Sequence, residues 1–453
     1  MADPSPTALA RRPGPVFAGV LRPIQEFFRL EAASGVVLLG TAVVALAAAN
    51  SPLEEMYRAL LELPFQVGAG GVAVTFSLQE LVNDGLMTVF FFVVGMEIKR
   101  ELVVGELRTT ARALLPAVAA LGGMAVPGLI FFLINARGPG RAGWGIPMAT
   151  DIAFCVGVLT LLRAHVHHGL KVFLTALAVF DDLGGIVVIA LFYGHGVEGA
   201  WLGGSALLLV VLFALNRFYV RNGLVWAAAG LALWYALGRG GVHPTISGVF
   251  LGMAIPALPT RPLREILHAL HEHASKLVRR PPEDTDLEAA EVLSIEEHLE
   301  DVEAPLTRFV HLLHPMVAFG IMPLFALVNS GVRLGGAGAA GSLWSAVPLG
   351  AALGLFVGKQ LGIFFTTFAA VKLRLAPMPG GAPLRKLYGV AIVGGVGFTV
   401  ALFVAQLSYP GHPEILDQAK VGILAGSLVS GVVGYLFLRF SGKAEAAPEA
   451  AAG

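Results

Sequence analysis

Apolar runs of membrane-crossing length alternate with short charged segments along most of this chain. The first runs from Ala32 to Ala49. Others follow at Leu81 to Ile98, Ala113 to Ile134, Gly145 to Leu162, Val172 to Tyr193, Ala200 to Leu215 and Leu224 to Leu237. The last group comprises Val242 to Ala257, Val310 to Val328, Ala346 to Ala370, Val390 to Leu407 and Val421 to Leu438. A straight helix needs about 20 apolar residues to cross a bilayer, and Leu224 to Leu237 is the shortest run. The pattern predicts an all-α polytopic membrane protein with about twelve transmembrane helices spread over residues 32–440.

Two connections are longer than a turn. In the segment 63–79, β-favouring residues flank a small central AGG in FQVGAGGVAV, which reads as a short hairpin or as a simple loop. As a hairpin it has free edges and could pair with a second copy, giving a homodimer. The segment 261–307 is charged. Within it Leu263, Ile266, Leu267, Leu270, Ala274 and Leu277 fall at helical spacing opposite Arg264, Glu265, His271 and Lys276, as in an amphipathic helix on a membrane or protein surface. The acidic stretch Glu283 to Glu303 reads as a solvated face or linker. The tail, 441–453, is rich in Ala, Glu and Pro and is expected to be disordered.

Composition agrees with the pattern. Length alone allows two or three soluble domains, but 56% apolar and 14% charged residues point to an integral membrane protein. A formal net charge of zero gives no reason to expect a nucleic-acid partner. Threading the runs alternately places about two dozen of the 31 Lys+Arg on the side shared by both termini and about five on the other. Both termini, the N-terminal segment 1–31 and the 261–307 loop are therefore expected in the cytoplasm, and 63–79 on the outer face. The charged lead before Ala32 is long for a cleaved signal peptide, so the first span is read as uncleaved. The lone Cys155 excludes an intrachain disulfide.

Ionisable groups inside the apolar runs carry the chemistry. Asp181 and Asp182 stand at the middle of VFLTALAVFDDLGGIVVIALFY. One charge at a bilayer centre costs about 2.5–3.5 kcal/mol on insertion scales, so two adjacent carboxylates imply ion or proton handling. Neighbours on a helix point about 100° apart, so the two acids face different surroundings. Close carboxylates disfavour joint ionisation, which lets protons and a hard cation such as Na+ compete for the same oxygens. Thr150 and Asp151 follow Pro147 in a run where a helix break is expected, and an acid there stabilises positive helix ends. Lys359, at the middle of LFVGKQLGIF, is the matching base: a salt-bridge partner for an aspartate or a proton carrier.

Gly394, Gly395 and Gly397 precede Thr399 and mark either a second break or close helix packing. Glu97, Lys99, Arg100 and Glu101 cluster at the end of one span, and HLLHP, with His311 and His314, opens another. Such groups could gate by protonation or simply anchor the interface. The HxxH spacing has no acidic third ligand in register and is not read as a zinc site. His243, before Pro244, is read as a helix-end histidine.

ATDIAF around Asp151, ALAVFDDLGGIVVIALFY around Asp181 and Asp182, NDGLMTVFFFVVGMEIKREL from Asn83, HPMVAFGIMPLFALVNSGV from His314 and GKQLGI around Lys359 together resemble the NhaA-type bacterial sodium/proton antiporters, over about Arg29 to Arg439. The resemblance implies twelve helices in the inner membrane with inverted repeats, two discontinuous helices and a periplasmic β-hairpin that makes the dimer contact. It also implies electrogenic export of Na+ or Li+ against inward protons, with no cofactor. Inverted repeats around a midplane site are already a known property of this family, so the interrupted runs and the resemblance count once together. By resemblance Asp181, Asp182 and Thr150 form the cation and proton site, the acids ligating Na+. Asp151 and Lys359 compensate helix ends, and Lys359 can pair with Asp181. Glu97, Arg100, Glu101, His311 and His314 correspond to a pH-response cluster. Val310 departs from the pattern, standing where the family commonly has an acid.

A transporter rather than an enzyme is thus expected. An intramembrane aspartyl protease is the alternative of another class, but its acids would sit on separate facing helices. A cation channel is a third reading, less suited to buried acid and lysine together.

Overall fold

A computed structural model describes residues 31–69, 72–162, 164–194, 196, 198–220, 222–259, 268, 272, 275, 304–334 and 344–442. The N-terminal segment to residue 30, almost all of the expected amphipathic helix, the acidic stretch to residue 303 and the tail from 443 lie outside these residues. Within the 261–307 loop, His268, Glu272 and Ser275 are helical.

The chain is mostly helical. Helix α1 (Glu31–Ala49) turns by 117° into the short α2 (Glu54–Leu61), and an antiparallel hairpin follows, β1 (Pro64–Ala69) with β2 (Val72–Ser77). Its register puts Phe65 opposite Phe76 and Val67 opposite Val74, so the AGG-centred stretch is a hairpin, the first of its two sequence readings. Ser77 starts α3 (Leu78–Val103) with a capping box: Glu80 N donates to Ser77 Oγ at 3.1 Å and Ser77 N to Glu80 Oε2 at 2.8 Å.

The chain continues through α4 (Thr110–Ile134), a 3-10 segment (Pro139–Met148), α5 (Ile152–Leu161), α6 (His168–Phe192), α7 (Gly199–Arg217), α8 (Gly223–Arg239) and α9 (Ile246–Ala254). Then come α10 (Pro305–Asn329), α11 (Ala346–Lys372), α12 (Leu384–Val393), α13 (Phe398–Ser408) and α14 (Pro413–Phe440).

Among the described residues, seven helices are long and apolar enough to cross a membrane: α3, α4, α6, α7, α10, α11 and α14. Three further pairs qualify only jointly, each bent at a break: α1 with α2, the 3-10 segment with α5 by 43°, and α12 with α13 by 47°. The apolar runs at Leu224 and Val242 fold as α8 and α9, of 17 and 9 residues. Helix α9 is shorter than its apolar run because prolines bracket it. Pro244 interrupts the approach, and Ile255, held extended at ψ 136° before Pro256, ends it.

Two backbone-close crossings hold the helices that matter for the site. In α4 and α11, a Cβ on Gly122 would meet the Gly362 carbonyl oxygen at 2.7 Å, and one on Gly362 would strike the Gly122 carbonyl. In α3 and α9, a Cβ on Gly95 would lie 2.5 Å from Val249 O. Small residues are the means by which membrane helices approach this closely. Wide π-type turns interrupt α3 at Leu81–Leu86, α10 at Val317–Ile321 and α11 at Gly354–Gly358, the last directly before Lys359. Such turns concentrate at functional sites because they re-aim the next side chain.

Candidate functional site

Two of the three bent pairs, the 3-10 segment with α5 and α12 with α13, meet at their breaks. Between the 3-10 segment and α5 the backbone is extended, with Asp151 at φ −82°, ψ 101°, and Asp151 N donates to Val396 O, inside the second break, at 2.7 Å. The glycines there serve both of their sequence readings at once. A Cβ on Gly397 would sit 2.8 Å from Ala149 O and one on Gly395 2.5 Å from Leu355 O, so the segment is both broken and closely packed.

Asp151 caps two helices. Its Oδ1 accepts from Phe154 N at 3.0 Å, at the start of α5, while its Oδ2 accepts from Thr399 N at 3.3 Å and Thr399 Oγ1 at 2.6 Å, at the start of α13. Helix N-termini carry positive partial charge, so one buried carboxylate compensates two of them. On the other side of the crossing, Cys155 Sγ donates to Val393 O at 3.1 Å, and Thr150 Oγ1 lies 3.0 Å from Gly394 O.

Asp181 and Asp182 part company as helical geometry requires. The Lys359 ammonium, fully buried, contacts Asp181 Oδ2 at 2.5 Å and Thr150 Oγ1 at 2.9 Å. Thr150 Oγ1 in turn lies 2.7 Å from the same Asp181 oxygen. These three side chains, from the first break, α6 and α11, form a closed buried cluster. Of the two roles open to Lys359, the salt bridge to an aspartate is the geometry seen.

Asp182 stands apart from that cluster. It is 6% exposed, and its Oδ1 is buried without a hydrogen-bond partner, as is Asp181 Oδ1. A buried acceptor without a donor costs about 1–3 kcal/mol, and more when charged. Two such oxygens on adjacent residues suit a hard cation or a proton.

The groups singled out near the end of α3 separate into pairs. Glu97 Oε1 lies 3.5 Å from His314 Nδ1 on α10, and Arg100 lies 3.8 Å from Glu101. His311 is three positions before His314 on the same helix. Lys99 instead donates to the Ile255 carbonyl, at the end of α9. His243 is tied to α3 and α13: its Nε2 lies 3.8 Å from Asp84 Oδ1, and its ring meets Phe403 edge-on at 5.6 Å.

Thr399 belongs with the site, although the sequence marked it only as the residue following the glycine-rich interruption. Its signal was a hydroxyl residue two positions after the last glycine of the interruption, where a helix cap is expected. A cavity of about 720 Å³ between α3, α8, α9 and α10 is lined mainly by apolar side chains such as Trp226, Trp234 and Phe309, and none of the buried cluster lines it.

Residues 25–438 match the family described as Na+/H+ antiporter 1. A protein named Na(+)/H(+) antiporter NhaA from Anaeromyxobacter sp. (strain Fw109-5) is 60% identical over 427 residues, covering 94% of this chain and 93% of its own. Na(+)/H(+) antiporter NhaA 1 of Myxococcus xanthus (strain DK1622) is 55% identical over 446 residues, covering 98% and 99%. The similarly named protein of Syntrophobacter fumaroxidans (strain DSM 10017 / MPOB) is 42% identical, covering 94% and 92%.

Proposed function

The chain belongs to the Na+/H+ antiporter 1 family, and from that premise we propose that it exchanges Na+ or Li+ for protons at Asp182 and Asp181. The observation that carries this reading is the pair of buried, partnerless carboxylate oxygens beside the Lys359–Asp181 ion pair. Asp182 is the first ligand of the cation, and protonation and cation binding exclude one another there. Cation bound by Asp182 and Asp181 competes with Lys359 for the Asp181 carboxylate, so loading frees Lys359 from its partner. The cycle is electrogenic, exports Na+ and imports protons. Thr150, now held between Lys359 and Asp181, turns its hydroxyl oxygen to the ion when the ammonium leaves.

Asp151 neutralises the helix ends at the crossing. Glu97 with His314, together with Arg100, Glu101 and His311, forms the entrance whose charge responds to pH. The broken pairs each count as one span, and α8 and α9 supply two more, which gives twelve spans in the bacterial inner membrane with both termini cytoplasmic. Residues 32–440 are the antiporter domain; 1–31, the 261–307 loop and 441–453 lie in the cytoplasm. The hairpin faces the periplasm and joins two copies into a dimer.

The test is dissipation of a pH gradient in proteoliposomes on adding Na+, Li+ or K+ across about pH 6 to 9. Na+ and Li+ are expected to collapse the gradient, and a flat response to all three overturns the reading. An aspartyl protease or a channel would show cleavage or gradient-independent current instead.

A further inference from the structure

Two layers of side chains join α13 to α3 and α10 on the hairpin side of Thr399. Phe403, one turn along α13 from Thr399, packs on Phe91 of α3 and Phe325 of α10, with ring centroids 5.2 and 6.4 Å apart. One further turn along, three amides meet. Gln406 Nε2 of α13 donates to Asn329 Oδ1 of α10 at 2.7 Å, and Asn329 Nδ2 donates to Asn83 Oδ1 of α3 at 2.8 Å. Asn329 is fully buried, and its amide is held further by Phe325 O at 3.0 Å.

A rise of 1.5 Å per residue puts this cluster roughly 10 Å along α13 from Thr399. Glu97 lies on α3 about 21 Å from Asn83, toward the opposite end. The amides therefore join the half-helix whose other end is capped by Asp151 to the two helices that carry Glu97 and His314. Nothing about an amide requires burial at this place, and three side-chain amides in an apolar bundle hold together only while the helices stay in register.

We propose that Asn83, Asn329 and Gln406 are the latch on the hairpin side of the ion path. The latch is closed in this conformation, and it breaks when α13 moves against α3 and α10 to open the site outward. The inference rests on the exchange function proposed above. The three residues touch no ion; they act by positioning α13. Amide hydrogen bonds suit the task because each contributes about 0.5–1.5 kcal/mol, enough to bias two states and weak enough to be remade every cycle.

The test is a reversible staple. Asn329→Cys and Gln406→Cys are combined with Cys155→Ala and bridged by a short, reducible bis-methanethiosulfonate reagent, with the bridge confirmed by mass. Exchange in proteoliposomes is expected to fall by about tenfold or more when bridged and to recover with dithiothreitol, because a closed latch removes the outward-open state. Calorimetric Na+ binding to the bridged protein in detergent is expected to persist. Exchange that runs unchanged through the bridge, or Na+ binding lost together with exchange, overturns the latch. Absence of exchange in the wild-type protein condemns the antiport reading instead. As a check without cysteines, Gln406→Met keeps the length but removes the donor. It is expected to speed amide hydrogen exchange in 398–408 without speeding it in 152–161. Equal protection in 398–408 counts against the latch.

Discussion

Lys359 and Asp181 offer the sharpest perturbation, because both side chains are fully shielded and their charged atoms are 2.5 Å apart. Replacing Lys359 by Met leaves a buried carboxylate whose other oxygen already has no partner. Breaking a buried ion pair from one side costs about 3–5 kcal/mol, since the remaining charge keeps its desolvation penalty and loses its compensation. Asp181→Asn strands the ammonium and is expected to cost a similar amount, reduced by the hydrogen bond Lys359 keeps to Thr150 at 2.9 Å.

The double variant removes both charges and both penalties, so it is expected to cost less than either single change. The assay is the thermal midpoint of purified protein in one detergent and buffer, for wild type, both singles and the double. Single variants melting well below the double, and a coupling of about 3 kcal/mol or more, are the expected result. Additive effects, with the double the least stable, would refute a direct buried pair.

Other consequences follow from the same geometry. Thr399→Val removes the 2.6 Å hydroxyl bond to Asp151 and is expected to cost about 1–3 kcal/mol in a melt, while Thr399→Ser retains stability and exchange. Gly362→Val drives a side chain into the Gly122 carbonyl three residues from Lys359. It is expected to lower both the folded yield and the exchange rate, whereas Gly203→Ala, with open space around it, changes neither. Shortening the hairpin between Phe65 and Phe76 is expected to convert dimers to monomers by native mass spectrometry, with exchange retained.

What sequence alone made legible was whatever carries a local penalty. Asp181, Asp182 and Lys359 stand out because a charge amid twenty apolar residues is costly wherever its partner lies. The first break could be read from Pro147 and the second from Gly394, Gly395 and Gly397, and the hairpin from small residues between β-favouring ones. The short α9 was equally readable, had Pro244 and Pro256 been weighed against its apolar run.

What stayed hidden was pairing across sequence distance. That Asp151 caps the helix beginning near Thr399, and that Lys359 pairs with Asp181 rather than Asp151, which only the family resemblance suggested, depends on how the two breaks dock. Local spacing carries no record of docking. Asn83, Asn329 and Gln406 were given no role for a related reason. A single amide in an apolar helix is ordinary, and only their convergence from three helices gives them a role. The charged residues near Glu97 looked like one cluster, but successive positions on α3 point in different directions, Glu97 to His314 of α10 and Lys99 to the Ile255 carbonyl at the end of α9.

The central claim is that a proton and a sodium ion compete for Asp182. Calorimetric titration of Na+ into the purified protein, in two buffers of different ionisation enthalpy, counts the protons released per ion bound. Proton release that accompanies Na+ binding, diminishes as pH rises and vanishes with binding in Asp182→Asn is the expected result. Na+ binding without proton release, or binding and release that survive Asp182→Asn, would contradict it.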